Sequence, residues 1–228
     1  MKNKDENSKN KPDYTSLAPK YTFSEKLETQ LQEIKDNPTV LRMDESRKKK
    51  TSDPHRPYYH FIDPVNRLND PNGFCYWQGR WHLFYQAYPP EDFRRAHWGH
   101  AISDDLIHWR DLPYSIYPNP EEESYSGAAL VEKDRVIAVY HGTKVGNMVA
   151  VSHDPLLLNW EKLTGKPVIP FAGEDEPPLP YGIYDPCIWK KEGMYYFLTG
   201  GILPHPPSGN HIRANFLFRS KDLVNWKY

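Results

Sequence analysis

No stretch of this 228-residue sequence approaches eighteen consecutive apolar residues, so a helical membrane span is excluded. Met1 to Lys20 has no apolar centre of the kind a secretory signal needs, and the expected compartment is the cytoplasm. Cysteine is scarce. The two present, Cys75 and Cys187, each follow a turn carrying an aspartate, which suits buried strand positions better than a disulfide framework. No Asn-X-Ser/Thr sequon occurs, in keeping with a reducing compartment. Charge of one sign is also lacking. A formal net charge of −1 gives no long-range attraction for nucleic acid, and the one basic run, Arg47-Lys48-Lys49-Lys50, reads as a solvated linker. Beyond His97-X-X-His100 no histidine cluster offers zinc spacing, and Gly200-Gly201 lacks the following helix of a phosphate loop. Neither a metal nor a nucleotide cofactor is expected.

Aromatic residues are plentiful at 14%, and flat rings with polar edges serve both sheet cores and sugar faces. Residues 1–54 are polar and form an expected N-terminal extension. It carries one helical candidate that opens at Ser24, places Leu27, Leu31 and Ile34 on one face, and stops at Asn37-Pro38. From residue 55 to 228 the texture changes to short aromatic strands between Gly, Pro, Asn and Asp turns, with no long helix. That body is all-β.

An internal repeat organises it. Ser103-X-Asp105 closing on Trp109 recurs as Ser152-X-Asp154 closing on Trp160 and as Ser220-X-Asp222 closing on Trp226. The front of each unit recurs too: Asp70-Pro71 leading to Trp77 and Gly79 is echoed by Asp185-Pro186 leading to Trp189 and Gly193, with Tyr125-Ser126-Gly127 opening the middle unit. Unit starts at 70, 126 and 185 are far enough apart for a four-stranded blade with loops, so the repeat points to a β-propeller with Asp70, Ser126 and Asp185 at one mouth of its channel. A β-sandwich would explain the strands but not the repeat.

The most informative stretch is Asn69-Asp70-Pro71-Asn72-Gly73, a carboxylate in a tight turn between two aromatic runs, where Pro71 and Gly73 restrict the backbone beside it. Three further landmarks follow in order: Phe84-Tyr85-Gln86, Trp98-Gly99-His100-Ala101, and Ser103 through Trp109. Together they resemble the invertase, inulinase and levanase enzymes of glycoside hydrolase family 32. The resemblance implies a five-bladed propeller, of which about three blades are present, and cleavage of a terminal β-fructofuranoside such as sucrose, sucrose phosphate or a fructan. It makes Asp70 the nucleophile and Asp185, in a counterpart of the family's Arg-Asp-Pro motif, a transition-state stabiliser. Asn69, Gln86, Trp98, Tyr125 and Ser126 become candidate substrate contacts, and Phe93 falls near a position where the family often has a ring lining the pocket.

Two departures follow from the same resemblance. Tyr184 stands where the family has arginine, and a phenol can hydrogen-bond and stack on sugar but carries no positive charge. The family's acid/base glutamate, beside a cysteine at the start of the next blade, is expected beyond Tyr228. Glu121 to Glu123, Glu174 and Glu176 lie in acidic, Pro-rich loops, match no motif and read as solvated charges. Two other readings stay open: a non-catalytic sugar-binding relative, or a five-bladed glycosidase acting on arabinan or xylan. The expected partner is a fructoside, with no nucleic acid or membrane, and nothing in the sequence sets an oligomeric state.

Overall fold

The computed structural model describes residues 12–57, 59–172, 177–205 and 209–228. Two helices lead. The first, α1 (Leu27–Lys35), buries the apolar stripe read from the sequence against Phe23, Ile102 and Leu156. A second, α2 (Pro38–Lys49), corrects the reading of Asn37-Pro38 as a stop alone. The Asn37 side chain accepts from Thr39 N at 3.0 Å and Val40 N at 3.3 Å, and Pro38 sits where a missing N–H costs nothing, so the dipeptide ends one helix and starts another.

The basic run is likewise not a free linker. Its first member, Arg47, grips buried Asp111 through Nη2 at 2.7 Å and also donates to Ile62 O at 3.0 Å, while Lys50 reaches Pro64 O at 2.8 Å. Other parts of the extension are tied down as firmly. Fully buried Gln30 donates to Asp154 at 2.8 Å, and Asn159 exchanges two 2.9 Å bonds with the backbone of Phe23. The described part of the extension, from residue 12 onward, is therefore packed onto the β body rather than trailing from it.

Among the described residues that body contains three antiparallel sheets in chain order. Sheet I comprises β1 (Leu68–Trp77), β2 (Arg80–Ala87), β3 (His97–Ser103) and β4 (Trp109–Ile116). Sheet II comprises β5 (Ser124–Val131), β6 (Val136–Gly142), β7 (Gly146–Ser152) and β8 (Glu161–Lys162), with β9 (Ile169–Pro170) also on β7. Sheet III comprises β10 (Pro186–Lys191), β11 (Met194–His205) and β12 (Asn210–Ser220), and an isolated bridge from Arg219 to Lys227 continues it. The first strands are neighbours, β1 against β5 and β5 against β10.

Alternation along β6 explains the stacking. Val136, Ala138 and Tyr140 face sheet I, where they meet Trp77, Phe84 and Trp98. Ile137 and Val139 face sheet III and meet Ile188, Phe197 and Phe218. A strand apolar on both faces belongs in the middle of three layers. The outward faces of the end sheets remain partly uncovered: Phe74 stacks on Trp81 at 5.3 Å on sheet I, and Trp189 on Tyr196 at 5.5 Å on sheet III.

The sequence repeat proves to be a turn. In each copy the aspartate carboxylate accepts backbone N–H groups of the following residues, the serine hydroxyl meets that carboxylate, and the tryptophan Nε1 donates back to the carbonyl of Leu106, Leu157 or Leu223. Those three leucines all have positive φ, between 51° and 67°, which the tryptophan bond holds in place. A second repeated device joins the first two strands of sheets I and III. Gln78-Gly79 and Glu192-Gly193 all have φ > 0, the pattern of a tight hairpin turn matched to strand twist. Of the two cysteines, Cys75 is buried as expected and its thiol is pushed up to about 12 by burial, whereas Cys187 is exposed, because it points to the uncovered face of sheet III.

One polar pair lies inside sheet I. His82 Nδ1 and His100 Nε2 are 3.0 Å apart, both fully buried, with the ring of Phe84 stacked 4.3 Å from His100. Burial, then Arg80, holds His82 down to about 4, and burial pushes His100 well below the usual histidine value. The native state therefore binds fewer protons than the unfolded chain, and stability present above about pH 6.5 is lost as pH falls toward 4. For His82 this amounts to about 3 kcal/mol. Thermal unfolding of the full-length protein between pH 7 and 4.5 checks it. His82→Gln, which keeps a hydrogen-bonding group but cannot titrate, should flatten the pH dependence, and an equally steep fall would clear the pair.

Candidate active site

Asp70 and Ser126 owe their placement to two irregularities of strand pairing. Between the pairs Leu68↔Ala87 and Pro71↔Tyr85, β1 carries one residue more than β2, and between Ser124↔Gly142 and Gly127↔Tyr140, β5 carries one more than β6. Such bulges re-aim a side chain out of the ladder. Gly127 makes the second possible, because a Cβ there would lie 1.9 Å from Val139 O. At Gly73, φ is +48° and a Cβ would lie 2.7 Å from the Trp98 ring, so the motif's glycine lets β1 settle onto that indole.

A continuous hydrogen-bonded chain results. Asn69 Nδ2 donates to Gln86 Oε1 at 2.9 Å, Gln86 Nε2 donates to Ser126 Oγ at 2.7 Å, and Ser126 Oγ donates to Asp70 Oδ2 at 2.8 Å. Gln86 Nε2 also stands 3.5 Å from the same carboxylate oxygen. Gln86 and Ser126 are buried, while Asp70 and Asn69 are exposed. Among the described residues Asp70 Oδ1 accepts no hydrogen bond. One oxygen is thus anchored and the other is free to meet a ligand.

Asp185 comes to the same mouth. Burial and then the charge of Asp70 hold its carboxyl above the usual range, so the two acids feel one another across the gap between β1 and β10. It retains an exposed edge. Its neighbour Tyr184 is 47% exposed and is fixed by fully buried Thr199, whose Oγ1 accepts from Tyr184 N at 3.0 Å and donates to Tyr184 O at 2.8 Å. Asn147 Nδ2 donates to that hydroxyl from sheet II at 3.2 Å, linking two sheets beneath the acid.

The remaining sequence-derived contacts separate. Trp98 has no exposed surface and donates through Nε1 to Tyr125 O at 2.8 Å, so it is the floor under Gly73 rather than a wall a ligand touches. Tyr125 is half-buried, and its ring lies 5.9 Å from His141, which stands 6.0 Å from Tyr184. Phe93 is 57% exposed beside the Arg94 guanidinium, and no described contact joins it to the Asp70 chain.

Glu121 departs from its reading as a solvated charge. It is fully buried and accepts from Ser124 Oγ and Tyr140 Oη at 2.9 Å each, and its third partner is the Lys162 ammonium. Glu122 lies near Lys144, Glu123 accepts from Ala96 N at 3.2 Å, and Glu174 and Glu176 fall outside the described residues. Thr199 and His141 escaped sequence reasoning, because each acts through a cross-strand or cross-sheet neighbour that no local motif marks.

Two carboxylates at one mouth, one held by a hydroxyl and an amide, suit displacement at a sugar carbon. Comparison with known proteins agrees on the chemistry's setting. The model for the glycosyl hydrolases family 32 N-terminal domain matches residues 60–228. Levanase of Bacillus subtilis (strain 168) is 33% identical, the match covering 76% of this chain and 26% of that protein. Sucrose-6-phosphate hydrolase of the same organism is 31% identical, with 78% and 37% covered. Among solved structures, a mutant of the Bombyx mori GH32 β-fructofuranosidase BmSUC1 in complex with sucrose aligns with a TM-score of 0.64 and 32% identity, covering 84% of this chain and 41% of that one. Fructan 1-exohydrolase IIa from Cichorium intybus in complex with 1-kestose aligns with a TM-score of 0.62 and 32% identity, covering 77% and 34%. The chain thus spans between about a quarter and two fifths of the length of these relatives.

Proposed function

Because this chain belongs to glycosyl hydrolase family 32, we propose that the protein containing it is a retaining β-fructosidase that releases terminal fructose from sucrose, a sucrose phosphate or a fructan. The observation that carries the reading is the Asn69–Gln86–Ser126–Asp70 chain, which holds a carboxylate at a bulge with one oxygen free. Asp70 attacks the anomeric carbon, and a covalent fructosyl-enzyme forms and is then hydrolysed. Asp185 hydrogen-bonds fructose hydroxyls and supports the oxocarbenium-like charge. Its raised proton affinity favours a hydrogen-bonding role over attack. Asn69, Gln86, Tyr125, Ser126 and Tyr184 contact the sugar, with Phe93 at the rim.

The three sheets are three blades of a five-bladed propeller. The contact order β1, β5, β10 and the uncovered aromatic stacks on the two end sheets support this, since further blades would cover both. The general acid is a carboxyl from a segment after Tyr228. Among the described residues the candidate glutamates are occupied elsewhere, Glu121 most completely. Assaying fructose release from sucrose, sucrose 6-phosphate, inulin and levan by the full-length protein tests the reading. Release from at least one is expected, and tight sugar binding with no release would instead favour the non-catalytic relative that Tyr184 in place of arginine suggests.

A further inference from the structure

Asp185 takes its position from its backbone. Burial and the charge of Asp70 perturb its carboxyl, but among the described residues no hydrogen bond or ion pair reaches that group. Tyr184, just before it, brings no cation to hold it. A carboxylate that must stand beside fructose hydroxyls without such a partner is only as well placed as the main chain that carries it. That main chain, residues 182–185, belongs to no strand, and pairing of β10 with β11 begins only at Pro186↔Thr199.

One buried hydroxyl fixes the segment. A threonine hydroxyl has one proton to give and two sites at which to accept, and Thr199 Oγ1 uses all three. It donates to Tyr184 O at 2.8 Å, with Gly200 O a longer alternative at 3.2 Å, and it accepts from Tyr184 N at 3.0 Å and from Asn147 Nδ2 at 3.2 Å. Both backbone polar groups of the residue before Asp185 therefore end on a single side chain. Thr199 and Asn147 are each fully buried, on the faces where sheets II and III meet. Asn147 is a rigid anchor, because β7 is paired there with β6 through His141 and with β9 through Ile169. The far end of the segment is held by contact alone: a Cβ on Gly201 would lie 2.3 Å from Gly182 Cα, so the two backbones touch. Pro186 then biases Asp185 toward extended backbone.

We propose that Thr199 and Asn147 are positioning residues for Asp185, a buried relay through which sheet II sets the carboxylate beside Asp70. The inference rests on the fructosidase reading, in which Asp185 supports the transition state, and deepens it. Neither residue touches the sugar, and each acts through the peptide groups of Tyr184. With a phenol at residue 184, the second acid is held by hydrogen bonds to its main chain instead of by a neighbouring charge.

The test uses the full-length protein and its best fructoside substrate. Thr199→Val keeps the shape and removes the hydroxyl, Thr199→Ser keeps the hydroxyl, and Asn147→Ala removes the anchor. Thr199→Val should lower kcat by about 10- to 100-fold, the scale of a misplacement near 1 Å, with a smaller change in KM. Thr199→Ser should recover most of that loss, and Asn147→Ala should show a lesser one. In an Asp185→Asn background Thr199→Val should cost nothing further, because the carboxylate through which it acts is gone. Carbon-13 titration of the Asp185 carboxyl, assigned by its absence from Asp185→Asn, reads position without turnover. Released from its place beside Asp70, that carboxyl should titrate lower in Thr199→Val and return in Thr199→Ser. Asn147→Ala leaves both Tyr184 bonds intact, so it carries the same cycle and titration if Thr199→Val does not fold. A folded Thr199→Val enzyme with wild-type kcat and an unmoved titration would overturn the relay and leave the fructosidase reading intact. An equal kcat loss in the Asp185→Asn background would mark a structural role only and would overturn it too. Hydrolysis of no fructoside by the wild type, with a titration that Thr199→Val moves and Thr199→Ser restores, would support the relay and overturn the fructosidase reading.

Discussion

Asp70→Asn in the full-length protein should abolish fructoside cleavage, lowering kcat by at least about 10⁴-fold, while the fold survives. Asparagine matches aspartate in shape and can still accept from Ser126 Oγ through its amide oxygen, so the 2.8 Å contact that organises the bulge has a substitute. Nucleophilicity has none, because an amide cannot form the glycosyl ester. Sugar affinity should change far less than turnover, since Asn69, Gln86 and Ser126 remain in place. Circular dichroism and substrate binding alongside the activity assay separate the two effects. Undiminished cleavage by a folded mutant would remove Asp70 from the nucleophile's role.

The 228-residue chain on its own should hydrolyse no fructoside at a useful rate. Protonation of the leaving oxygen contributes about 10²–10⁴-fold, and the described candidate glutamates are engaged elsewhere: Glu121 with Lys162 and Tyr140, Glu122 near Lys144, and Glu123 with Ala96 N. Positioning fails as well. Among the described residues the groups around Asp70 and Asp185 come from β1, β2, β5 and the segment leading into β10, too few to enclose a fructose ring. Phe74 and Tyr76 are about half exposed and Trp189 partly so, surfaces that favour self-association of the isolated chain. A sucrose and inulin assay on this chain beside the full-length protein is the check. Comparable turnover would mean that an acid exists within residues 1–228, and Glu174 and Glu176 would be the first to replace.

Local chemistry makes much of this legible in the sequence itself. The strand alternation, the Gly79 and Gly193 turns and the Ser-X-Asp…Trp repeat are each set by a few consecutive residues, and the structure returns them as read. The convergence of Asp70, Ser126 and Asp185 followed from the repeat, since equivalent positions in equivalent sheets must meet where the first strands meet. What stayed illegible depends on partners distant in sequence. Arg47 looks solvated until Asp111, on β4, is beside it. Glu121 sits in an acidic run and is nonetheless buried, because Lys162 and Tyr140 arrive from other strands. Asn37-Pro38 has two meanings, helix stop and helix start, and only the bonds from Thr39 N and Val40 N to the Asn37 side chain show that both apply. Cys187 reads as buried because its neighbours do, but the face it occupies has no covering sheet among the described residues. Trp98 was placed among sugar contacts by its motif, and Gly73 shows why it lies below them.

Rapid acid quench of the full-length enzyme during sucrose turnover, followed by peptide mass spectrometry, tests the central claim most directly. A fructosyl ester on the peptide carrying Asp70, absent from the Asp70→Asn protein, is the expected result. An adduct on Asp185 or on any other carboxylate, or release of fructose with inverted anomeric configuration and no adduct at all, would contradict the assignment of Asp70 as nucleophile in a retaining reaction.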